Sequence, residues 1–139
     1  MLQLFKKIKI KTKPFEIINI TDKVISLCNE TKINSGLINL TILHTSCSLT
    51  IQENADPAVL LDILNFLKKV APEGNYNHDT EGPDDMPAHL KSALLGSELT
   101  VPVREGQLQL GAWQGIYLGE HRNRAAGRAV VVTLYGEPA

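Results

Sequence analysis

The sequence predicts a single α+β domain over residues 1–139, with mixed, largely antiparallel sheets and two to three helices. Three observations carry this reading. A chain of 139 residues fits one domain, and a globule of that size buries roughly two-thirds of the surface its unfolded chain exposes. Apolar, β-rich segments fill the first and last thirds, and the short glycine-bearing turns between the later ones imply antiparallel pairing. The helical patterns gather in the middle of the chain, which separates it from a doubly wound α/β sheet.

The elements follow in order. Leu2 to Thr12 mixes alternating apolar residues with Lys6, Lys7, Lys9 and Lys11, the pattern of an edge strand that lysine protects from edge-to-edge pairing. Phe15 to Ile20 reads as a second strand. Thr21 is a helix cap with Asp22 in the first turn; Val24, Ile25, Leu27 and Cys28 form the apolar face, and Gly36 is the expected left-handed stop. Leu37 to Leu43 is a nearly continuous apolar run, expected to be a central strand covered on both faces. It delivers His44, and Leu49 to Gln52 continues or re-pairs as a strand. Asp56 caps the clearest helix, with Pro57 at its first position and Val59, Leu60, Ile63, Leu64, Leu67 and Val70 at helical spacing. Ala71 to Asp85 is a long polar loop, and such loops are more often functional than idle. Pro87 opens a third helix that Gly96 closes. Leu99 to Val103, Leu108 to Leu110, Ile116 to Leu118 and Arg128 to Leu134 are the last strands, with turns at Glu105-Gly106 and Arg124 to Gly127.

Composition excludes several function classes. The formal net charge is −1, with 14 Lys and Arg against 15 Asp and Glu, which argues against bulk binding of nucleic acid. No apolar run approaches the roughly 18 residues needed to cross a bilayer, and Met1 to Phe5 lacks the layout of a signal peptide. Two cysteines, Cys28 and Cys47, make no disulfide framework. The expectation is a cytoplasmic protein with reduced thiols and no membrane partner. No P-loop and no Gly-x-Ser-x-Gly elbow is present.

The residues able to do chemistry are histidines and arginines. His44 ends the central strand, His78 lies in the polar loop, and His89 opens the third helix. Neutral imidazole is the commonest nitrogen ligand of zinc and similar ions, and three ligands with an open position make a catalytic metal site. Asp79 and Glu53 are the carboxylates expected to orient the imidazoles. His121 sits beside Arg122 and Arg124 and reads as part of a polar turn or an anion site. Glu120 to Arg124, with Arg128, is a locally basic stretch whose guanidinium forks suit phosphate oxygens; a solvated turn is the competing reading. Cys47, three residues after His44, is either a soft ligand or a small buried residue. Trp113 is either a core or interface anchor or a pocket wall, and Gln114 either holds a ligand or ties neighbouring strands.

Leu110-Gly111-Ala112-Trp113-Gln114-Gly115-Ile116 is the most distinctive stretch. It resembles the signature of the YjbQ family, and His44-Thr45-Ser46, Glu53-Asn54, Asp56-Pro57, Tyr76-Asn77-His78-Asp79, Pro87-Ala88-His89-Leu90-Lys91, Leu95-Gly96 and Gly106-Gln107-Leu108 match the same pattern in order. Ala112 and Cys47 depart from it. The resemblance implies a compact α+β domain assembled as a homotrimer. It implies a pocket carrying His44, His78 and His89, which holds a divalent metal or a small anion.

Some members of the family are labelled secondary thiamine-phosphate synthases, which join a pyrimidine methyl diphosphate to a thiazole phosphate. On that reading His44, His89 and Glu120 are the catalytic candidates, and His44, His78 and His89 the metal ligands. Arg122, Arg124, Trp113 and Gln114 are the substrate-binding candidates. The cofactor is a divalent metal, zinc, or magnesium with a diphosphate substrate. The ligand is a small phosphorylated molecule. Two other classes stand beside it: a metal-dependent hydrolase, resting on the histidines alone, and a non-catalytic trimeric binding protein.

Overall fold

The last strand of the chain is the seam of the molecule. In the computed structural model, which describes residues 1–124 and 127–139, β8 (Arg128–Pro138) lies between β1 (Leu2–Ile10) and β3 (Ile33–Ile42). β3 continues the sheet to β5 (Glu98–Arg104), which turns into β6 (Gln107–Leu108), giving the order β1-β8-β3-β5-β6. A second sheet has the order β2 (Ile17–Asn19), β7 (Gln114–Glu120), β4 (Cys47–Glu53). Every pairing is antiparallel, as the short turns imply. β5 and β6 form a hairpin at Glu105-Gly106, where both residues take positive φ. β7 and β8 belong to different sheets. Ala125 and Ala126 of the expected Arg124 to Gly127 turn lie outside the described residues.

The core forms where the inner faces of the two sheets meet α1 (Thr21–Thr31). Ile38, Leu40, Ile42, Val101, Val103, Val130, Val132 and Leu134 come from the large sheet, Leu49, Ile116 and Leu118 from the small one, and Val24, Leu27 and Cys28 from the helix. The lysine-rich first strand is an edge, as expected.

Two expectations are corrected here. β3 is central, but its burial alternates along the strand, and Leu37 remains 45% exposed; one face of the five-stranded sheet is therefore uncovered in the single chain. Gly36 does not stop the helix. α1 ends at Lys32, which takes the left-handed conformation itself (φ 58°) and donates its N–H to Asn29 O. Gly36 lies in β3 directly opposite Gly136 of β8, and a Cβ added at Gly36 would stand 2.2 Å from the Tyr135 carbonyl oxygen. Glycine here permits close backbone approach.

The remaining helices position the site. α2 (Pro57–Val70) starts as its cap predicts, with Asp56 Oδ1 accepting from Ala58 N at 2.9 Å. α3 (Asp85–Leu95) begins two residues before the expected proline. Pro87 still falls in the first turn, where its missing N–H costs no helical bond. The helix is tied to β4 by Ser92 Oγ, which donates to Cys47 O at 2.8 Å, and to the strand's next turn by Leu49 N, which donates to Gly96 O.

Candidate metal and anion site

α3 places Asp85 and His89 four residues apart, hence on one helix face. The polar loop before the helix brings His78 to the same point. Both Nε2 atoms converge on Asp85 Oδ2, at 2.6 Å from His78 and 3.2 Å from His89. The two rings meet edge to face, with centroids 5.3 Å apart. Donor atoms of His78, Asp85 and His89 all lie within 4.8 Å of one another. Asp85 is buried, whereas the side chains of His78 and His89 are 41% and 31% exposed. Glu81 Oε2 stands 3.3 Å from His78 Nε2 at the rim.

Asp85 links this cluster to a second tier of charges. Its Oδ1 accepts from Arg122 Nη1 at 2.5 Å, while Arg122 Nε donates to Asp84 Oδ2 at 3.0 Å and Nη2 to Glu81 O. Below lies the buried pair of Arg128 and Glu120. Arg128 donates from Nε and Nη2 to the two Glu120 oxygens, and also to Ser46 Oγ and Ser46 O. Thr12 Oγ1 and Arg122 N complete the carboxylate's partners. A cavity of about 650 Å³ opens between the tiers, lined by His44, Ser46, Glu81, Arg122, Arg124 and Arg128 among others.

Electrostatics follow from these contacts. The hydrogen bond to Asp85 raises the His78 pKa above its usual value. Burial opposes ionisation of Asp85, yet the His78 hydrogen bond and the Arg122 charge hold its carboxyl below the ordinary range. Burial likewise works against Glu120, and the Arg128 and Thr12 hydrogen bonds outweigh it and lower its pKa. His44 is pushed down, first by burial and then by Arg128. Its Nε2 accepts from Ala129 N at 2.8 Å, which makes the neutral ring an Nδ1–H tautomer.

The sequence-derived candidates therefore divide. His78 and His89 come together; His44 lines the cavity beside the arginines and is not one of the three clustered donors. Asp85 supplies the carboxylate at the imidazoles, a correction to Asp79 and Glu53. Glu53 is at the far end of β4, paired with Gln114, where its carboxylate accepts from Asp56 N. The signal that could have found Asp85 was its i, i+4 spacing to His89. Arg122 and Arg124 both line the cavity, but Arg122 spends three of its five N–H donors on Asp84, Asp85 and Glu81. Trp113 and Gln114 lie at the opposite end of β7 from Glu120, about 20 Å away at the rise of a strand. Trp113 is 66% exposed, and Gln114 Oε1 accepts from Gly111 N at 2.7 Å.

Cys47 is fully buried, and burial pushes its thiol up to about 12; it is core, not a nucleophile. Both cysteines are free. His121 is not in a solvated turn. It is buried, its Nε2 lies 2.8 Å from Ser48 Oγ, and burial pushes its pKa down to about 4. Gly119 makes room for this contact, since a Cβ there would meet Ser48 Oγ at 2.7 Å.

Fold and site together define a small α+β domain with a His–Asp–His cluster joined through Glu81 and Arg122 to an arginine-lined cavity. The family model described as UPF0047 protein YjbQ-like matches residues 6–137, and the chain belongs to that family. The UPF0047 protein YjbQ of Salmonella typhimurium is 50% identical over 130 residues, covering 91% of this chain and 92% of the relative. Its namesake from Escherichia coli O157:H7 is 46% identical over 129 residues, with the same coverage.

Among solved structures, a protein of unknown function from Sulfolobus solfataricus superposes with a TM-score of 0.88 at 29% identity, covering 97% of this chain and 98% of that one. An uncharacterised YjbQ/UPF0047-family protein from Clostridium acetobutylicum gives 0.87 at 37% identity, covering 94% and 99%. Among the described residues, no helix is long and apolar enough to cross a membrane.

Proposed function

We propose that this chain is a metal-dependent enzyme acting on a small phosphorylated substrate, with the metal held by His78, Asp85 and His89 and the phosphoryl group in the adjoining cavity. The observation that carries this reading is the convergence of two imidazoles and one carboxylate beside a cavity edged by three arginines. Two nitrogens and one oxygen suit zinc and similar ions. They suit magnesium poorly, since it takes oxygen ligands and keeps several waters. The exposed edges of both histidines leave room for water or substrate.

A bound divalent ion supplies Lewis acidity toward a phosphoryl oxygen. The chain's own residues do the rest. Arg124, exposed at the cavity wall, and the uncommitted N–H groups of Arg122 bind phosphate oxygens. His44 presents its Nδ1–H as a neutral donor. Glu120, with both oxygens engaged and almost no exposure, is a positioning residue that fixes Arg128 and does not touch substrate. The thiamine-phosphate synthase reaction that the family resemblance implies is one specific case within this class, since both of its half-substrates carry phosphate. Metal-assisted phosphate-ester hydrolysis is the second reading, favoured by the nitrogen-rich donor set.

Homotrimeric assembly is proposed alongside. Its support is the uncovered face of the large sheet, where Phe5, Leu37 and Tyr135 are exposed around an apolar groove. A soluble monomer rarely leaves such a face open without use. Assembly is also the route by which Trp113 and Gln114, remote from the cavity in one chain, would reach a neighbour's.

The test supplies zinc, manganese or magnesium to the purified chain with the pyrimidine diphosphate and thiazole phosphate pair, and separately with a generic phosphate monoester. Zinc- or manganese-dependent turnover that His89→Ala abolishes, with the fold retained, supports the reading. Inertness toward both substrate sets with every metal contradicts it.

A further inference from the structure

α3 presents a second face, lined by a cavity of its own. Lys91 is two residues beyond His89, about 200° round the helix, and so faces away from the His–Asp–His cluster. It is only 9% exposed. Asp84, Asp85, Glu120 and Arg128 are also buried, and each is held in an ion pair. Among the described residues, Lys91 has no such partner. Its Nζ lies 5.5 Å from the centroid of the Phe15 ring, a cation–π contact, and makes no ion pair, so its N–H donors are left to solvent at the cavity.

Lys91 lines a cavity of about 400 Å³ with an amphipathic wall. Phe15, Ala71, Pro72 and Pro87 supply the apolar part, and Lys68 adds a second cation. Glu73 and Asp84 also reach the cavity, yet neither pairs with Lys91. The Asp84 carboxylate is turned toward Arg122 Nε and Asn123 N. The backbone is arranged for the ring: Phe15 takes φ 55°, a region that bulky residues rarely occupy, and its N–H donates to Arg122 O at 3.1 Å.

We propose that this cavity is a binding site for a small monocarboxylate with an apolar body. The carboxylate pairs with Lys91, with Lys68 at the rim, and the body packs on Phe15, Pro72 and Pro87. The site is separate from the His–Asp–His cluster and does not depend on the metal reading. Its occupant would lie behind Asp84, the residue that fixes Arg122 in the first cavity.

The test is a proton–nitrogen NMR titration of the full chain with benzoate, and with benzamide as the neutral isostere, at constant ionic strength. The expected result is saturable shifts at the amides of Phe15, Ala71, Glu73 and Lys91, with benzoate bound about tenfold or more tightly than benzamide. Lys91→Met should erase that preference while keeping a dispersed spectrum. Absence of saturation with benzoate, equal affinity for the two probes, or an unaltered preference in Lys91→Met would overturn the proposal. Should Lys91→Met fail to fold, the comparison of benzoate with benzamide in the wild type decides alone.

Discussion

Protonating His121 should weaken this fold from the inside. The ring is 2% exposed and bonded to Ser48, and its pKa falls from an unfolded value near 6.5 to about 4, chiefly through burial with the Lys91 charge adding to it. A histidine with a lowered folded pKa stabilises the native state above its unfolded pKa and loses that contribution as pH falls toward its folded pKa. The unfolded chain takes up the proton first. The loss relative to neutral pH is about 2 kcal/mol at pH 5 and about 3 kcal/mol at pH 4. At this chain length 3 kcal/mol lowers Tm by roughly 10 °C.

Other groups titrate in the same window. The shift of His44 has the same sign, whereas the raised pKa of His78 acts oppositely, stabilising at low pH. The contribution of His121 is therefore isolated by difference. His121→Gln keeps a nitrogen or oxygen within reach of Ser48 and cannot titrate. Urea unfolding followed by circular dichroism between pH 7 and pH 4 should show the wild type losing about 3 kcal/mol more than the variant. Parallel stability profiles for the two proteins would refute the reasoning.

Other substitutions probe separate parts of the fold. Glu120→Gln leaves Arg128 charged and buried without its counter-ion, and should cost about 3–5 kcal/mol in denaturant unfolding; an unchanged urea midpoint would refute the buried-pair account. Gly36→Ala forces a methyl group against the Tyr135 carbonyl; a loss of about 1–3 kcal/mol is expected from overpacking, and an unchanged Tm would refute the close-approach account. Asp56→Ala removes the cap at Ala58 N and should cost about 1 kcal/mol, seen as a shifted urea midpoint with an unchanged slope.

Local chemistry made most of the fold legible. Asp56-Pro57 marked the start of α2, Glu105-Gly106 marked a tight hairpin, and the lysines of β1 marked an edge. The errors came from long-range geometry. Gly36 looked like a helix stop because its need for space arises from Gly136, a hundred residues away. β3 looked doubly covered because its exposed face is apolar at Leu37.

The site divides in the same way. His78 and His89 were legible as polar imidazoles in a loop and a helix start. Asp85 is marked in the sequence only by its i, i+4 spacing to His89, a spacing that carboxylates on solvated helix faces also show. Ser48 and His121 could not be joined from sequence, since their contact exists only through the register that sets Ser48 opposite Gly119. The arginines read as either phosphate forks or a solvated turn; Arg122 and Arg128 are largely committed to carboxylates, which leaves Arg124 the most available.

The central claim is that His78, Asp85 and His89 hold a divalent metal. The most direct measurement is zinc titration by calorimetry of the metal-stripped chain, with elemental analysis of the protein as purified, for wild type, His89→Ala and Asp85→Asn. The expected result is one zinc per chain in the wild type, with binding lost in His89→Ala and weakened in Asp85→Asn, all three remaining folded. Absence of zinc binding to the folded wild type, or equal binding to His89→Ala, would contradict it.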